Sequence, residues 1–256
     1  MFNAITVIAI ATLKESIRDR ILLTLVVFTV LLLGLSVFLG SISLDQDNKI
    51  IIDLGLFGIF LFGVIITIFL GGSSVIKELD QRTIYSVLSR PIKRSWYIVG
   101  KFCGLSLTML LLTVLMSAVY VSIVAFRLGW HSIDISLILA LIYLVFEFMV
   151  LVALMLLFSS FASSVMATVY ALAVFLIGHS SATFLSLIQS IHSWPRYIFF
   201  GLYYIFPNLE KFNIRNDVVY HLHPKGSEVG LVALYAIVYC TLLLILAAKA
   251  FSKQEL

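Results

Sequence analysis

Six long apolar runs constrain the fold of this chain more than any other feature of its sequence. Each run is long enough to cross a bilayer, whose hydrocarbon core of about 30 Å needs about 20 residues of helix. The runs predict an all-α integral membrane protein with six transmembrane helices. They cover residues 21–40, 54–72, 102–126, 135–161, 165–187 and 229–250.

The composition leaves little room for a soluble domain beside these runs. The chain is 62% hydrophobic and 12% charged, whereas soluble domains contain about 25% charged residues. The net charge of +4 is better explained by where lysine and arginine lie relative to the predicted spans, so we expect membrane lipids as surroundings and no nucleic-acid partner. The two cysteines lie within apolar runs and do not indicate a disulfide framework.

The first 20 residues are predicted to form a helix that lies in the membrane interface. Apolar side chains recur there at helical spacing, away from a face that carries Asn3, Lys14 and Arg18. The basic residues follow the apolar positions instead of preceding them, which is not typical of a secretory signal. The apolar positions are Phe2, Ile5, Ala9, Leu13 and Ile17.

The distribution of lysine and arginine predicts the orientation. With the N-terminus inside, the inner segments hold eleven of these residues and the outer segments six, which together make the chain's 17. Because cytoplasmic segments carry the excess of Lys and Arg, both termini are predicted to be cytoplasmic. Residues 73–101 then form the only large cytoplasmic loop.

The predicted outer segment between the fifth and sixth runs, residues 188–228, contains a second apolar element. Its core from Tyr197 to Phe206 is too short to span a bilayer, and Pro195 and Pro207 bracket it. Tyrosines suit the depth of the lipid headgroups. We therefore predict a re-entrant or interfacial helix, followed by a polar external loop.

Glu147 is an ionisable residue near the middle of the fourth run. An acid at that depth costs about 2.5–3.5 kcal/mol on insertion scales, so we expect it to be protonated, paired or facing a polar cavity. It is a candidate for a substrate path or a proton-linked group, or for a structural hydrogen bond to a neighbouring helix. His179 is a possible partner, but counting from the ends of the runs places it nearer the outer face, so no pair is predicted.

Two further features within the predicted membrane and outer regions have structural explanations. His221 and His223 form a His-x-His pair, but His192 is nearly thirty residues away and no cysteine supports it, so no metal site is predicted. The glycines of the second run offer small faces for helix packing, either within one subunit or across a dimer. They are Gly55, Gly58 and Gly63.

The cytoplasmic loop concentrates charge. The stretch IKELDQRTIYSVLSRPIKRSWYIVGK, from Ile76 to Lys101, holds eight of the chain's thirty charged residues. Apolar positions at helical spacing, with Thr83 as a cap and a break before Pro91, predict a short amphipathic helix that precedes a second helix. On composition alone, a basic loop that sets topology and touches anionic lipid explains this stretch as well.

The order of motifs in this loop resembles the first cytoplasmic loop of ABC-2 type transporter permeases. The shared pattern is an acidic residue, Arg-Thr or Gly-Thr, an apolar helix, Ser-x-Pro, a basic residue and Gly-Lys. Here it is Glu78, Arg82-Thr83, Ile84 to Leu88, Ser89-Arg90-Pro91, Arg94 and Gly100-Lys101. The resemblance covers residues 1–256 as a single transmembrane domain, and it is strongest to the branch described as multi-copper enzyme maturation permeases. Arg82 departs from the glycine that many members carry.

The resemblance implies that this loop contains a coupling helix, which docks in a cleft of a separate ATP-binding subunit. The N-terminal helix would pack beside it as a connecting helix, with Lys14, Glu15, Arg18 and Asp19. The apolar contacts with that cleft would come from Ile84, Tyr85, Val87 and Leu88. The polar contacts around them would come from Glu78, Arg82, Arg90 and Arg94. Thr83 and Pro91 would mark the helix boundaries.

The same resemblance implies a non-catalytic permease subunit that binds no cofactor itself. The chain has no G-x-x-x-x-G-K-[ST] phosphate loop, so ATP and Mg²⁺ would be bound by the partner. Two ATP-binding subunits and a second permease, identical or paralogous, are expected in a bacterial inner membrane, with export as the direction. The sequence does not select a substrate.

Besides a passive channel or receptor, which would show no nucleotide-linked activity, two alternative functions stay open at this point. The first is a membrane-embedded enzyme of the lipid-modifying type centred on Glu147, which would turn over without ATP. The second is a permease that aids the maturation of a copper enzyme, as the most similar branch suggests.

Overall fold

The computed structural model describes residues 2–42, 47–74, 94–190, 195–220 and 226–252. All regular structure in these ranges is helical, with two short 3₁₀ turns at Trp130–Ser132 and Leu209–Phe212. The α-helices are α1 (Phe2–Ile17), α2 (Arg20–Ile42), α3 (Asp47–Ser74), α4 (Arg94–Leu128), α5 (Ile135–Ser159), α6 (Ser164–His179), α7 (Ser181–Ser190), α8 (Pro195–Ile205), α9 (Arg215–Val219) and α10 (Gly226–Ser252).

Five of the described helices, α2, α3, α4, α5 and α10, are long and apolar enough to cross a membrane. A sixth span is formed if α6 and α7 are counted together, because the two meet at a bend of 60°. This confirms the predicted class, an all-α integral membrane protein. The bend replaces the straight fifth span predicted over residues 165–187.

The bend follows from the local sequence. Helix α6 ends at His179, and Ser180, in a bridge-like conformation with φ −89° and ψ 9°, caps it by donating its backbone N–H to the carbonyls of Leu176 and Ile177. Gly178, Ser180 and Ser181 are weak helix formers at this point. The break is therefore a property of a short polar and flexible stretch, which hydropathy alone does not reveal.

Helices α3 and α5 form the centre of the described bundle and have its most extensively buried spans. Their glycines receive aromatic rings, since a β-carbon at Gly63 would overlap the ring of Phe148 on α5, and one at Gly55 would overlap Tyr120 on α4. A β-carbon at Gly58 would meet Leu32 of α2 at 2.6 Å. Packing within one chain therefore accounts for all three glycines.

Helix α1 lies along the first half of α4, and its contact face differs from the predicted stripe. Among the side chains of α1 that the structure describes, Ile8, Thr12 and Ser16 are buried, whereas Ile17 is exposed. The line of contact is shifted by about one residue because the glycines of α4 receive Ile8 and Thr12: a β-carbon at Gly100 would lie 2.9 Å from Cβ of Ile8, and one at Gly104 would lie 2.7 Å from Cβ of Thr12. Close packing on these two glycines therefore determines the face.

The segment predicted to be a polar external loop is instead partly buried. Residues 207–219, called the outer cap below, contain the second 3₁₀ turn and α9. Leu209, Phe212 and Val218 are buried within the hydrophobic core. Apolar residues that recur within this polar stretch hold the cap against the bundle. The predicted interfacial helix in front of it corresponds to α8.

Most of the predicted coupling loop lies outside the described residues. This holds for the proposed contacts from Glu78 to Pro91, namely Glu78, Arg82, Thr83, Ile84, Tyr85, Val87, Leu88, Arg90 and Pro91. The described residues begin again at Arg94, the first residue of α4, which is 35 residues long. Lys101, predicted to open the third span, lies inside this helix and is buried.

Candidate functional site

The buried acid of α5 is paired. Glu147 is 1% exposed, and its Oε1 lies 2.7 Å from Nε2 of His179 at the end of α6. The sequence did not predict this pair, because His179 was placed nearer the outer face on the assumption of a straight fifth span. The end of α6 at His179 and the bend that follows are the local features that this assumption missed.

A second carboxylate completes a cluster on the other side of the imidazole. Oε2 of Glu210, in the outer cap, lies 3.6 Å from Nδ1 of His179. The exposed fractions of the side chains rise from 1% at Glu147 to 19% at His179 and 39% at Glu210. These three residues, called the acid–imidazole cluster below, connect the bundle interior with the surface of the cap.

Aromatic rings fix the position of the imidazole. The ring of His179 meets Phe60 of α3 edge to face at 5.3 Å and Phe175 of α6 at 4.7 Å between centroids. Phe60 and Phe175 also contact each other at 6.0 Å. Because edge-to-face contacts restrict ring rotation, the two nitrogens of His179 remain directed at the two carboxylates.

A cavity of about 250 Å³ adjoins the acid–imidazole cluster. Its wall is mainly apolar and aromatic, with few polar groups, which is typical of ligand sites in proteins. It lies between α3, α5, α6 and the outer cap. The lining residues are Leu56, Phe60, Ala140, Leu144, Glu147, Phe175, His179, Phe212, Asn213, Ile214 and Arg215.

Asn208 ties the outer cap to three helices. Its side-chain oxygen accepts a hydrogen bond from Ser181 Oγ at 2.8 Å, and its amide nitrogen donates to Tyr203 Oη at 3.1 Å. Its backbone N–H donates to Tyr235 Oη at 2.8 Å. Gly178 allows the cap to approach α6, since a β-carbon there would lie 2.6 Å from the carbonyl oxygen of Pro207.

An ion pair joins the other end of the cap to α3. Nε of Arg215 lies 3.0 Å from Oδ1 of Asp53, and its guanidinium group stands 5.2 Å from the centroid of the Phe57 ring. Arg215 also lines the cavity. Its charge is therefore matched by Asp53 at the edge of the site.

At the predicted cytoplasmic end, α1 is clamped to α4. A β-carbon at Gly104 would lie 2.7 Å from the carbonyl oxygen of Ala9, and one at Gly100 would lie 2.9 Å from Ile8. Lys101, which is 1% exposed, lies 3.8 Å from Glu15, which is 52% exposed. These contacts between α1 and the start of α4 are called the inner clamp below.

The residues predicted for the connecting helix are distributed over the end of α1 and the turn to α2. Lys14, Glu15 and Arg18 are exposed, whereas Asp19 is half-buried in the turn. Glu15 forms an ion pair with Lys101 of α4. His192, His221 and His223 lie outside the described residues, which contain no group of three His, Cys, Asp or Glu side chains that could hold a metal ion.

Sequence reasoning missed Glu210, Asn208 and Arg215, which were assigned to a polar loop. A signal for them was present in the apolar residues that recur within this polar stretch, at Leu209, Phe212 and Ile214. Such recurrence indicates a segment that packs against a core on one side. It does not identify the helix on which the segment packs.

Comparison with known families supports a membrane transport role. Residues 6–191 match the family model described as ABC-2 family transporter protein, which is well over half of the chain. The match spans α1 to α7 and includes Glu147 and His179, while Glu210 lies beyond it. A search of curated protein sequences found no match.

Proposed function

We propose, from the premise that this chain belongs to the ABC-2 family of transporter proteins, that it is the permease of an ATP-driven exporter whose ATP-binding subunit docks on residues 73–101. The chain is a multi-pass membrane protein, and the family typically supplies non-catalytic membrane subunits. Two copies of the ATP-binding subunit and a second permease would complete the complex. The partner would bind ATP and Mg²⁺.

The inner clamp is the observation that carries this proposal. The coupling loop leads directly into α4 at Arg94, and the clamp contacts at Gly100 and Gly104 follow within three helical turns. Close backbone contact at two successive turns makes α1 and the start of α4 one rigid unit. A force that the ATP-binding subunit applies to the loop would therefore move both helices together.

Helix α4 is suited to carry that movement across the membrane. Its 35 residues span about 50 Å at 1.5 Å per residue, which exceeds the hydrocarbon thickness. Tyr120, near its far end, is buried and donates a hydrogen bond from its hydroxyl to the carbonyl oxygen of Ile52 at 3.1 Å. The movement would thereby reach α3, which lines the cavity beside Glu147.

The excess of positive charge in the inner segments supports an orientation with both termini in the cytoplasm of a bacterial cell, in its inner membrane. The coupling loop then faces the compartment that supplies ATP. Export is the direction that the resemblance implies, and it is part of this proposal. The multi-copper maturation branch stays a prediction from the sequence.

The decisive experiment purifies the tagged chain from its native membranes and measures ATP hydrolysis per mole of permease. We expect an ATPase to co-purify with the wild-type chain. For the Leu88→Asp variant, ATP hydrolysis per mole of permease should be at least tenfold lower. A charge placed in an apolar docking contact must be desolvated without a partner, which weakens the complex. Mass spectrometry of the same sample gives the ratio of the subunits.

Trp130→Asp is the matched control, since it also replaces a large apolar side chain with an acid, here at an exposed position on the predicted outer face. It should retain the ATPase. Both variants must elute as wild type in size-exclusion chromatography. Normal ATPase binding and stimulation by the Leu88→Asp variant would refute the docking assignment.

A further inference from the structure

We propose that the cavity beside Glu147 binds a small hydrophobic monocation, with an ammonium N–H donated to the Glu147 carboxylate. The sequence marked Glu147 and His179 as a possible substrate path. The structure places both on the wall of a cavity of about 250 Å³, and the chemistry of that wall selects the ligand class.

The Glu147 carboxylate has hydrogen-bonding capacity left over. Its Oε1 is paired with His179, but its Oε2 is buried and has no hydrogen-bond partner within the described part of the chain. A buried polar atom without a partner destabilises the folded protein, and does so more strongly when it is charged. A ligand N–H would relieve that destabilisation, so the site favours a donor.

The charge balance around the cavity favours a cation. Glu147 and Glu210 flank a single imidazole, so with both carboxylates ionised the acid–imidazole cluster is negative in either protonation state of His179. Arg215 does not reverse this sign, because Asp53 matches its charge at 3.0 Å. An anionic ligand would meet an unbalanced carboxylate and is disfavoured.

The aromatic wall supports the same choice. Phe60, Phe175 and Phe212 all line the cavity. The faces of aromatic rings attract cations, and the attraction grows as the cation is desolvated. A metal ion is not favoured, since the described residues contain no group of three His, Cys, Asp or Glu side chains that could hold one: the two carboxylates of the acid–imidazole cluster lie on opposite sides of the imidazole. The wall is also apolar on most sides.

The volume sets the size of the ligand. A dry apolar cavity of about 150 Å³ accommodates benzene, so about 250 Å³ accommodates a ring of that size together with a short aminoalkyl chain. A phenylalkylamine matches both the volume and the distribution of polarity. Its ring would contact the phenylalanines while its ammonium group faces Glu147.

Binding of the cation is independent of the proposed coupling to an ATPase, although its transport would rest on that function. The test therefore uses the full chain alone, purified in detergent, and no nucleotide. Failure of binding would leave the docking experiment with Leu88→Asp unaffected. Conversely, loss of ATPase docking would not abolish binding in this assay.

The experiment measures equilibrium binding of radiolabelled 2-phenylethylamine at pH 7, where the amine is protonated. We expect saturable binding at one site per chain. Unlabelled 2-phenylethanol and 3-phenylpropionate should compete at least tenfold less well, because they have the same ring but no positive charge. This comparison is made on wild type and so requires no substitution in the core.

Glu147→Gln should weaken amine binding at least tenfold, while the matched variant Glu228→Gln, at an exposed position on α10, should bind as wild type. The glutamine is nearly isosteric and can still accept a hydrogen bond from His179. Absence of saturable binding by wild type, equal competition by the alcohol, or equal affinity of Glu147→Gln would each overturn the proposal.

Discussion

The inner clamp and the outer cap solve the same packing problem with different chemistry. In each, a helix glycine faces a backbone carbonyl: Gly104 of α4 faces Ala9, and Gly178 of α6 faces Pro207. A side chain in such a contact could rotate away, but a backbone carbonyl cannot. Both contacts therefore depend on the absence of a single β-carbon.

The two regions differ in what surrounds that contact. The inner clamp joins two long helices through small and apolar residues, with one ion pair at its edge. The outer cap is built from short segments tied by side-chain hydrogen bonds at Asn208 and by the Arg215–Asp53 pair. The clamp is held by shape, whereas the cap adds polar contacts, beside a cavity, to the apolar residues that it buries in the core. This difference suits transmission of force at one end and ligand binding at the other.

The largest expected effect is at the clamp. Gly104→Ala places a β-carbon 2.7 Å from the Ala9 carbonyl oxygen and should lower the free energy of unfolding by about 1–3 kcal/mol through overpacking. The measurement is thermal unfolding in detergent, followed by the monodisperse fraction in size-exclusion chromatography. Gly34→Ala is the control, since nothing lies within 4 Å of a β-carbon there.

The control should be neutral or slightly stabilising, because alanine is a better helix former than glycine by up to about 1 kcal/mol. If Gly104→Ala were as stable as Gly34→Ala, the clamp would not depend on close backbone contact. The proposed rigid coupling of α1 to α4 would then lose its structural basis.

The sequence predicted the helices well because each is encoded locally by about 20 apolar residues. It also marked Glu147, since an ionisable residue within a span is conspicuous. It could not predict the pair with His179, which depends on where α6 ends and how it bends. It could not predict Glu210 either, because the cap folds back from 31 residues further along the chain, counted from His179. Long-range geometry of this kind has no local signal.

The next effect in size is at the cap. Asn208→Ala removes one accepted and one donated side-chain hydrogen bond, each worth about 0.5–1.5 kcal/mol, and should lower stability by about 1–2 kcal/mol. Because Ser181 and Tyr203 lose their partner, the cap should loosen and binding of 2-phenylethylamine should weaken. Asn216→Ala, at an exposed position on α9, is the control. A variant at Asn208 with unchanged stability and affinity would show that the cap is held by packing alone.

The smallest effect is expected at the ion pair on the edge of the cavity. Asp53→Asn should change stability by less than about 1 kcal/mol, because both side chains are partly exposed and such pairs contribute little.

The effect of Asp53→Asn on ligand binding is more informative. With its carboxylate partner neutralised, Arg215 adds an unmatched positive charge to the wall of the cavity and should weaken amine binding about threefold, an effect that falls as the ionic strength rises. Binding titrations at two salt concentrations measure both changes. Unchanged affinity at low salt would mean that Arg215 does not act on the ligand, and a negative cavity would then rest on the acid–imidazole cluster alone.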